Sequence, residues 1–476
     1  MNPPGHTLQD LQHALERQQA AFRAAPMPSA RERQADLLSL VRLLTDHREA
    51  LVQAIARDYG SRSAFETGLA EVLASVQALQ HARRQLGRWM KPQRRGIDFM
   101  LHPGASNRVI PQPVGVVGVI VPWNFPLNLA FCPLASILAA GNRALVKMSE
   151  RSRHLAALLQ RISPDYLPLE KLQFFDDSGG LGPAFSALPL NHLLFTGSSA
   201  TGRAVMAQAA RTLTPVTLEL GGKSPAIVAS DFPLSTAAER ILWAKLFNAG
   251  QICTAVDHVY LPEGTVDDFV AHARRTVARR YPNLEHEDYT AIIDARACER
   301  LEHLLRDAQA KGATLVDLSP GPRPDAARRK FPPHIVLGTT PEMALSQQEI
   351  FGPILPVLTY RSHAEVVARL QAQDRPLALY PFTHDKALQN HYITHVMSGG
   401  VTVNDTLLHL TQDDLPFGGS GASGMGHYHG REGFETFSKM RPVFRQGPVS
   451  SVQAFFMPPY GRAQHRLVEW LLRIKR

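Results

Sequence analysis

Three side chains of this sequence could together carry covalent chemistry on a carbonyl carbon. Cys253 lies in LFNAGQICTAVDHV, after a Gly-Gln turn, between a helix ending near Asn248 and a strand near His258–Leu261. Its neighbours are polar and turn-forming, which suits a nucleophile, because a reactive cysteine needs a partly exposed setting to reach the thiolate. Cys132 and Cys298 read instead as small buried hydrophobes. Asn124, in PWNFP, follows an apolar strand and offers a side-chain N–H to a developing oxyanion. Glu219, in TLELGGKSP, stands between Leu218 and Leu220. A carboxylate buried there is either paired or tuned for base work. Taken singly, each residue also fits a structural role: a buried thiol, a loop amide, a paired glutamate.

A nucleotide site is suggested by HLLFTGSSATGRAVM, which reads as a strand, a turn at Gly197 and a helix from about Ser199. A helix N-terminus offers unpaired N–H groups and a positive dipole end to a pyrophosphate. Gly197 and Gly202 permit a tight turn and close helix–strand packing. The spacing is GxxxxG, so on its own the segment is a turn that any α/β protein could contain. Upstream, RALVKMSE reads as a strand ending in Lys147, with Glu150 three residues on. Both could reach ribose hydroxyls, and both could equally be exposed surface groups.

The elements that must position these groups follow from periodicity. Residues 7–90 read as helical, with Leu37, Leu38, Val41, Leu44 and Leu51 on one face. Residues 97–112 read as an extended excursion turning at Pro103–Gly104, a hairpin arm. From 113 the pattern becomes short buried runs such as VGVVGVIV, RALVKMS, HLLFTGS and SPAIVAS alternating with helices, the signature of a parallel sheet. A second α/β series starts near Glu219 and continues to about 410. The domains expected are therefore 1–218 for the nucleotide, 219–410 for the nucleophile, and 411–476 as a return segment, bridging strand and C-terminal tail.

Composition narrows the class. Of 476 residues, 44% are hydrophobic and 20% charged, as in a globular protein with a core large enough to need no metal or disulfide staple. Three scattered cysteines exclude a disulfide framework and a cysteine zinc site, so no metal is expected, and they suit a reducing, cytoplasmic compartment. The N-terminal MNPPGHTLQDLQHALERQ has no apolar core, so no secretory signal is expected. Val114–Pro122, the longest apolar run, is too short to span a bilayer. The charge of +9 is spread over scattered Arg pairs, which fits a solvated surface and an anionic cofactor better than nucleic acid. The tail AQHRLVEWLLRIKR alternates Leu467, Leu471 and Ile474 with Arg466, Arg473, Lys475 and Arg476. Such a helix could rest on an anionic membrane, but packing within an oligomer is the favoured reading.

PVGVVGVIVPWNFP, FTGSSATG, LELGGKSP, FNAGQICTA and EIFGPILPV occur in this order. The set resembles the aldehyde dehydrogenase superfamily from about residue 30 to 445. The late segment LPFGGSGASGMGHYHGREGFETFS is similar to its class 3 branch, and within it to the bacterial coniferyl aldehyde dehydrogenase group. The resemblance implies a Rossmann-like cofactor domain, an α/β catalytic domain and a small β arm bridging two subunits of a homodimer. It implies NAD as cofactor, with NADP possible, and an aldehyde, aromatic or medium-chain, as substrate. By resemblance Cys253 is the nucleophile, Glu219 the general base and Asn124 the side-chain half of the oxyanion hole. Gly197, Ser198 and Gly202 form the pyrophosphate turn, and Lys147 and Glu150 hold the adenosine ribose. Glu349 and Phe351 hold and flank the nicotinamide riboside, and Trp243 lines the aldehyde tunnel, a core tryptophan being the alternative.

Several positions depart from the family pattern. Met148 replaces the usual proline after Lys147, from which a less rigid strand exit is expected. Ile252 and Thr254 replace threonine and valine beside the nucleophile, and FDDSGGLGPAF is unusual. Two other readings stay open: a dehydrogenase that passes its acyl group to coenzyme A, which retention of Glu219 opposes, and a non-enzymatic binding protein on the same fold, which the intact set of Cys253, Glu219 and Asn124 opposes.

Overall fold

The helical block at the start of the chain is broken where its sequence offers caps. In the computed structural model, which describes residues 6–99, 102–177, 179–321, 325–448 and 455–474, helices span Leu8–Ala24, Ala30–Asp46 and Arg48–Tyr59. Thr7 and Ser29 each open a helix with a reciprocal capping box, and Gly60, at φ 77°, closes the third. A π-helical turn, Gly68–Leu73, then leads into Ala74–Trp89. Leu37, Val41, Leu44 and Leu51 are buried as their spacing predicts, and Leu38 is half-buried.

Sixteen strands follow among the described residues: β1 Gln93–Arg95, β2 Ser106–Pro113, β3 Val116–Ile120, β4 Arg143–Lys147, β5 Leu172–Phe175, β6 His192–Thr196, β7 Val216–Glu219, β8 Pro225–Val228, β9 His258–Pro262, β10 Thr314–Asp317, β11 His334–Leu337, β12 Ile354–Tyr360, β13 Ala378–Phe382, β14 Gly400–Val401, β15 Gly424–Met425 and β16 Ser438–Arg445. They form three sheets. The first runs β15-β7-β6-β3-β4-β5, parallel except for β15. The second runs β10-β11-β12-β9-β8-β13-β14, parallel except for β10. Every residue of β3, β6, β8 and β13 is buried, because helices cover both faces of a parallel sheet.

The third sheet, β1-β2-β16, is antiparallel. The hairpin starts earlier than expected, its first strand beginning at Gln93 rather than near residue 97, and the strand expected in the return segment is Ser438–Arg445, paired along the whole of β2. Gly104 turns the hairpin at φ 75°; Met100 and Leu101 lie outside the described residues. The tail forms the helix Arg462–Ile474, with Val468, Trp470, Leu472 and Ile474 exposed. Lys475 and Arg476 lie outside the described residues. No helix among the described residues is long and apolar enough to cross a membrane.

The expected looseness after Lys147 is also corrected. The Met148 N–H donates to the Phe175 carbonyl at 2.8 Å, a bond proline could not make, and the side chain is wholly buried in the core. The methionine thus extends the β4–β5 ladder by one rung. Met148→Pro is expected to destabilise the fold by about 2–4 kcal/mol, the sum of a lost buried hydrogen bond and lost packing. A lower urea midpoint with unchanged slope is the expected result, and an unchanged midpoint would refute it.

Candidate active site

In the first sheet the chain runs outward through β3, β4 and β5, then crosses back to β6 beside β3. Ligands of such sheets bind in the crevice beyond the strand ends where the order reverses. Here that crevice lies between Val121–Asn124, after β3, and Gly197–Ser198, after β6. Ser198 is extended, and its hydroxyl accepts from Thr201 N at 3.3 Å, capping the helix Ser199–Ala209. Gly202 lies close to Leu220, where a Cβ would come within 2.7 Å of the leucine side chain. At the last position of β6 the Thr196 hydroxyl is buried without a hydrogen-bond partner. Sequence reading missed it, although FTGS placed it directly before the turn.

Asn124 is 4% exposed, and its backbone carbonyl collects three donors: Tyr59 Oη at 2.9 Å, Arg62 Nη1 at 2.9 Å and Asn248 Nδ2 at 3.3 Å. Arg62 also pairs with Glu71 at 2.9 Å, both side chains wholly buried. Its guanidinium lies 4.7 Å from the Tyr59 ring centroid and 4.8 Å from that of Phe125. Glu71 in turn accepts from the Leu127 and Asn128 N–H groups, each at 2.8 Å. The Asn124 side chain, with its backbone fixed in this way, donates to the Gln251 carbonyl at 3.2 Å, two residues before Cys253.

Cys253 follows three successive residues of positive φ: Asn248 (50°), Ala249 (51°) and Gly250 (73°). Only the third is a glycine, so the turn stores backbone strain. At Gly250 a Cβ would come within 2.6 Å of the Gly352 carbonyl. Gln251 uses its whole carboxamide to hold the turn, donating to Asn248 O at 3.0 Å and Ala291 O at 3.1 Å and accepting from Ile293 N at 3.0 Å.

Two buried carboxyls face the thiol. Glu219 ends β7 opposite Gly424 of β15 and is 2% exposed. Neither carboxyl oxygen makes a well-formed hydrogen bond, and burial holds its pKa well above the usual carboxylate range, opposed only by the nearby Gly419 N–H. Glu349 lies against Gly221, which has no room for a side chain. Its pKa is pushed up to about 8 by burial and then by Asp257, against the Gly222 N–H, Lys223 and Arg300. Cys253 is pushed up to about 12 by burial first and then by Glu349 and Glu219, opposed by its own N–H and that of Thr254. The residue keeps the partial exposure expected of it, while burial and the two carboxyls raise the pKa of its thiol.

The remaining residues fall into two groups. Phe351, at φ 48°, sets its ring edge-on to Trp123 at 5.5 Å, which brings the 349–351 segment to the loop after β3. Trp243 is 40% exposed, which excludes the core alternative. It meets Phe247 edge-on at 5.8 Å, and Phe247 stacks on Phe125 at 6.5 Å, forming an aromatic wall that ends beside Asn124. Phe125 and Phe247 were missed in the sequence although each adjoins a motif asparagine. Lys147 and Glu150 are not brought together. Lys147 is buried against Asp177 at 2.5 Å, whereas Glu150 is exposed and contacts Ser149 and Arg151.

A thiol, an amide donor and two water-starved carboxyls in one crevice suit attack on a carbonyl followed by hydrolysis of the acyl-sulfur product. Because the thiol's pKa lies far above neutrality, alkylation of Cys253 in the cofactor-free protein should rise about tenfold per pH unit from pH 7 to 9, as the thiolate fraction does. Mass-spectrometric rates would show this, and a plateau by pH 8 would contradict it.

Residues 2–443 match the model of the aldehyde dehydrogenase family. A probable coniferyl aldehyde dehydrogenase of Pseudomonas aeruginosa is 46% identical over 97% of this chain and 96% of its own length. The substrate-bound structure of Staphylococcus aureus AldH superposes with a TM-score of 0.90 at 31% identity, covering 97% of this chain and 99% of that one. The NAD+ complex of a Bacillus cereus aldehyde dehydrogenase superposes at 0.83 with 26% identity, covering 93% and 90%. A cysteine on a strained turn, set against two buried carboxyls at the reversal point of a doubly wound sheet, thus occurs in a chain that matches one family of enzymes over residues 2–443, and this protein belongs to the aldehyde dehydrogenase family.

Proposed function

We propose that this NAD(P)-dependent aldehyde dehydrogenase oxidises aromatic aldehydes of the coniferyl type to their acids, with NAD as cofactor and a thioester on Cys253. The observation that carries this reading is the convergence of Cys253, the Asn124 amide and Glu219 at the crevice, beside the Trp243–Phe247–Phe125 wall. Flat rings stack on such a wall at little entropic cost.

The residues fit a dinucleotide. The first N–H groups of the helix Ser199–Ala209 lack intrahelical partners, Thr196 offers an unpaired hydroxyl, and Lys147 and Asp177 stand at the adjoining strand ends. Gly197, Ser198 and Gly202 would hold the pyrophosphate, and Glu349 and Phe351 the nicotinamide riboside. When bound, the oxidised nicotinamide supplies the acceptor for the hydrogen and electron pair that the substrate loses.

The chain's own groups do the rest. The Cys253 thiol gives its proton to water or to an ionised carboxylate beside it, and the resulting thiolate attacks the aldehyde carbon. The Asn124 side-chain N–H and the Cys253 backbone N–H hold the oxyanion. Glu219 in its carboxylate form, made a stronger base by burial, takes a proton from water as that water attacks the thioester. Retention of this base favours hydrolysis over transfer to coenzyme A. The open edge of the arm sheet suits pairing with a second copy, so the enzyme is proposed to be a homodimer.

Cys253→Ala should abolish oxidation while leaving the NAD dissociation constant unchanged. Glu219→Gln should give a burst of about one reduced cofactor per site before slow turnover, with the acyl adduct detectable on Cys253. A variant with no burst would move Glu219 to an earlier step, and normal turnover would remove it from the mechanism. Specificity constants should favour cinnamyl-type and benzaldehyde-type substrates over succinic semialdehyde, and the reverse order would refute the substrate class.

A further inference from the structure

In a doubly wound sheet, the strand beside the reversal point ends in the residue that reads the adenosine ribose. An acid there bonds the 2′-hydroxyl of NAD, and a nearby cation accommodates the 2′-phosphate of NADP. In this chain that strand is β4 and the residue is Lys147. A free ammonium at this point would invite the phosphate. It is not free: its Nζ pairs with Asp177 Oδ2 at 2.5 Å, with the two side chains 5% and 12% exposed.

Asp177 follows β5, the strand next to β4, and is held from several directions. Its Oδ1 accepts from Gly182 N at 3.2 Å, and its carbonyl accepts from Gly180 N at 3.2 Å in a turn that puts Gly180 at φ 71°. The preceding residue, Asp176, is tied to His6 Nδ1 at 2.8 Å, and the His6 ring meets Phe175 edge-on at 4.9 Å. Phe175, Asp176, Gly180 and Gly182 of this unusual stretch therefore serve to fix the Asp177 carboxylate beside Lys147. Glu150, the acid that the family resemblance points to, is 54% exposed at its side chain and engaged with Ser149 Oγ at 3.1 Å and Arg151 Nε at 3.7 Å.

We infer that Asp177, more than Glu150, makes this enzyme prefer NAD: it neutralises Lys147 and sets a carboxylate at the ribose 2′ position. This rests on reading the crevice as the dinucleotide site. A 2′-phosphate entering there finds its natural counter-ion, Lys147, already taken by Asp177 and would lie beside a carboxylate, so it gains no attraction to offset the loss of its hydration. A 2′-hydroxyl instead meets an acceptor and, on Lys147, a donor.

The test measures dissociation constants for NAD and for NADP separately, by calorimetry on the full-length enzyme without aldehyde. The wild type should bind NAD more tightly. Asp177→Asn keeps the side chain's size, removes the charge and releases Lys147, so NADP should bind about tenfold more tightly or better while NAD weakens a few-fold. Lys147→Gln, which leaves the carboxylate alone, should move the ratio the other way, against NADP, and gives a second reading if the first variant folds poorly. Glu150→Gln should shift the ratio less than Asp177→Asn does. A ratio within twofold of wild type in Asp177→Asn, or a larger shift from Glu150→Gln, or a wild type that prefers NADP, would overturn the inference. A wild type that binds neither nucleotide would instead overturn the cofactor assignment beneath it.

Discussion

The carbonyl oxygen of Asn124 is the point on which the site depends. It accepts from Tyr59 and Arg62 of the helical block and from Asn248 of the nucleophile turn, so one atom joins three parts of the chain. Each neutral bond contributes about 0.5–1.5 kcal/mol net and the one from Arg62 somewhat more, but leaving such a carbonyl buried and unpaired would cost more than any single bond returns. The Arg62–Glu71 pair is subject to the same logic. Its two charges are wholly enclosed, and they are tolerable because Glu71 also accepts two backbone N–H groups and Arg62 lies between two aromatic rings. Removing either partner would release the 124–128 turn, and the Asn124 side chain with it.

The strain in the nucleophile turn makes sense against this anchor. Asn248 and Ala249 pay for their left-handed backbone through contacts elsewhere, chiefly the three hydrogen bonds of the Gln251 carboxamide. The turn presents Cys253 to Glu219 and Glu349, and after its own burial these two carboxyls raise the pKa of the thiol.

What the sequence could reveal was local. Continuous buried runs such as VGVVGVIV marked the parallel strands, and the strand-turn-helix at 192–209 announced its glycine turn, because burial on two faces and a helix cap leave contiguous signatures. Distant pairings left none. Nothing near Lys147 shows that Asp177, on another strand, will take its charge. Nothing near Glu71 shows that the helix will widen to a π turn where that residue meets the Leu127 and Asn128 N–H groups. The polar neighbours of Cys253 suggested its partial exposure, but nothing near it showed that two carboxyls far away in the chain would add to burial in raising its pKa. Strand β15, two residues long within a glycine-rich stretch, has no period to read.

That short strand has a consequence for how the protein is made. The edge beside Glu219 is closed only by Gly424–Met425, about 200 residues later in the chain, and β2 waits even longer for β16. While the ribosome is still synthesising the second sheet, the first is already long enough to form but has a bare edge, the kind of template on which nascent chains mispair. Residues 424–445 thus act as a clasp: translation must pass them before the earliest sheet is sealed.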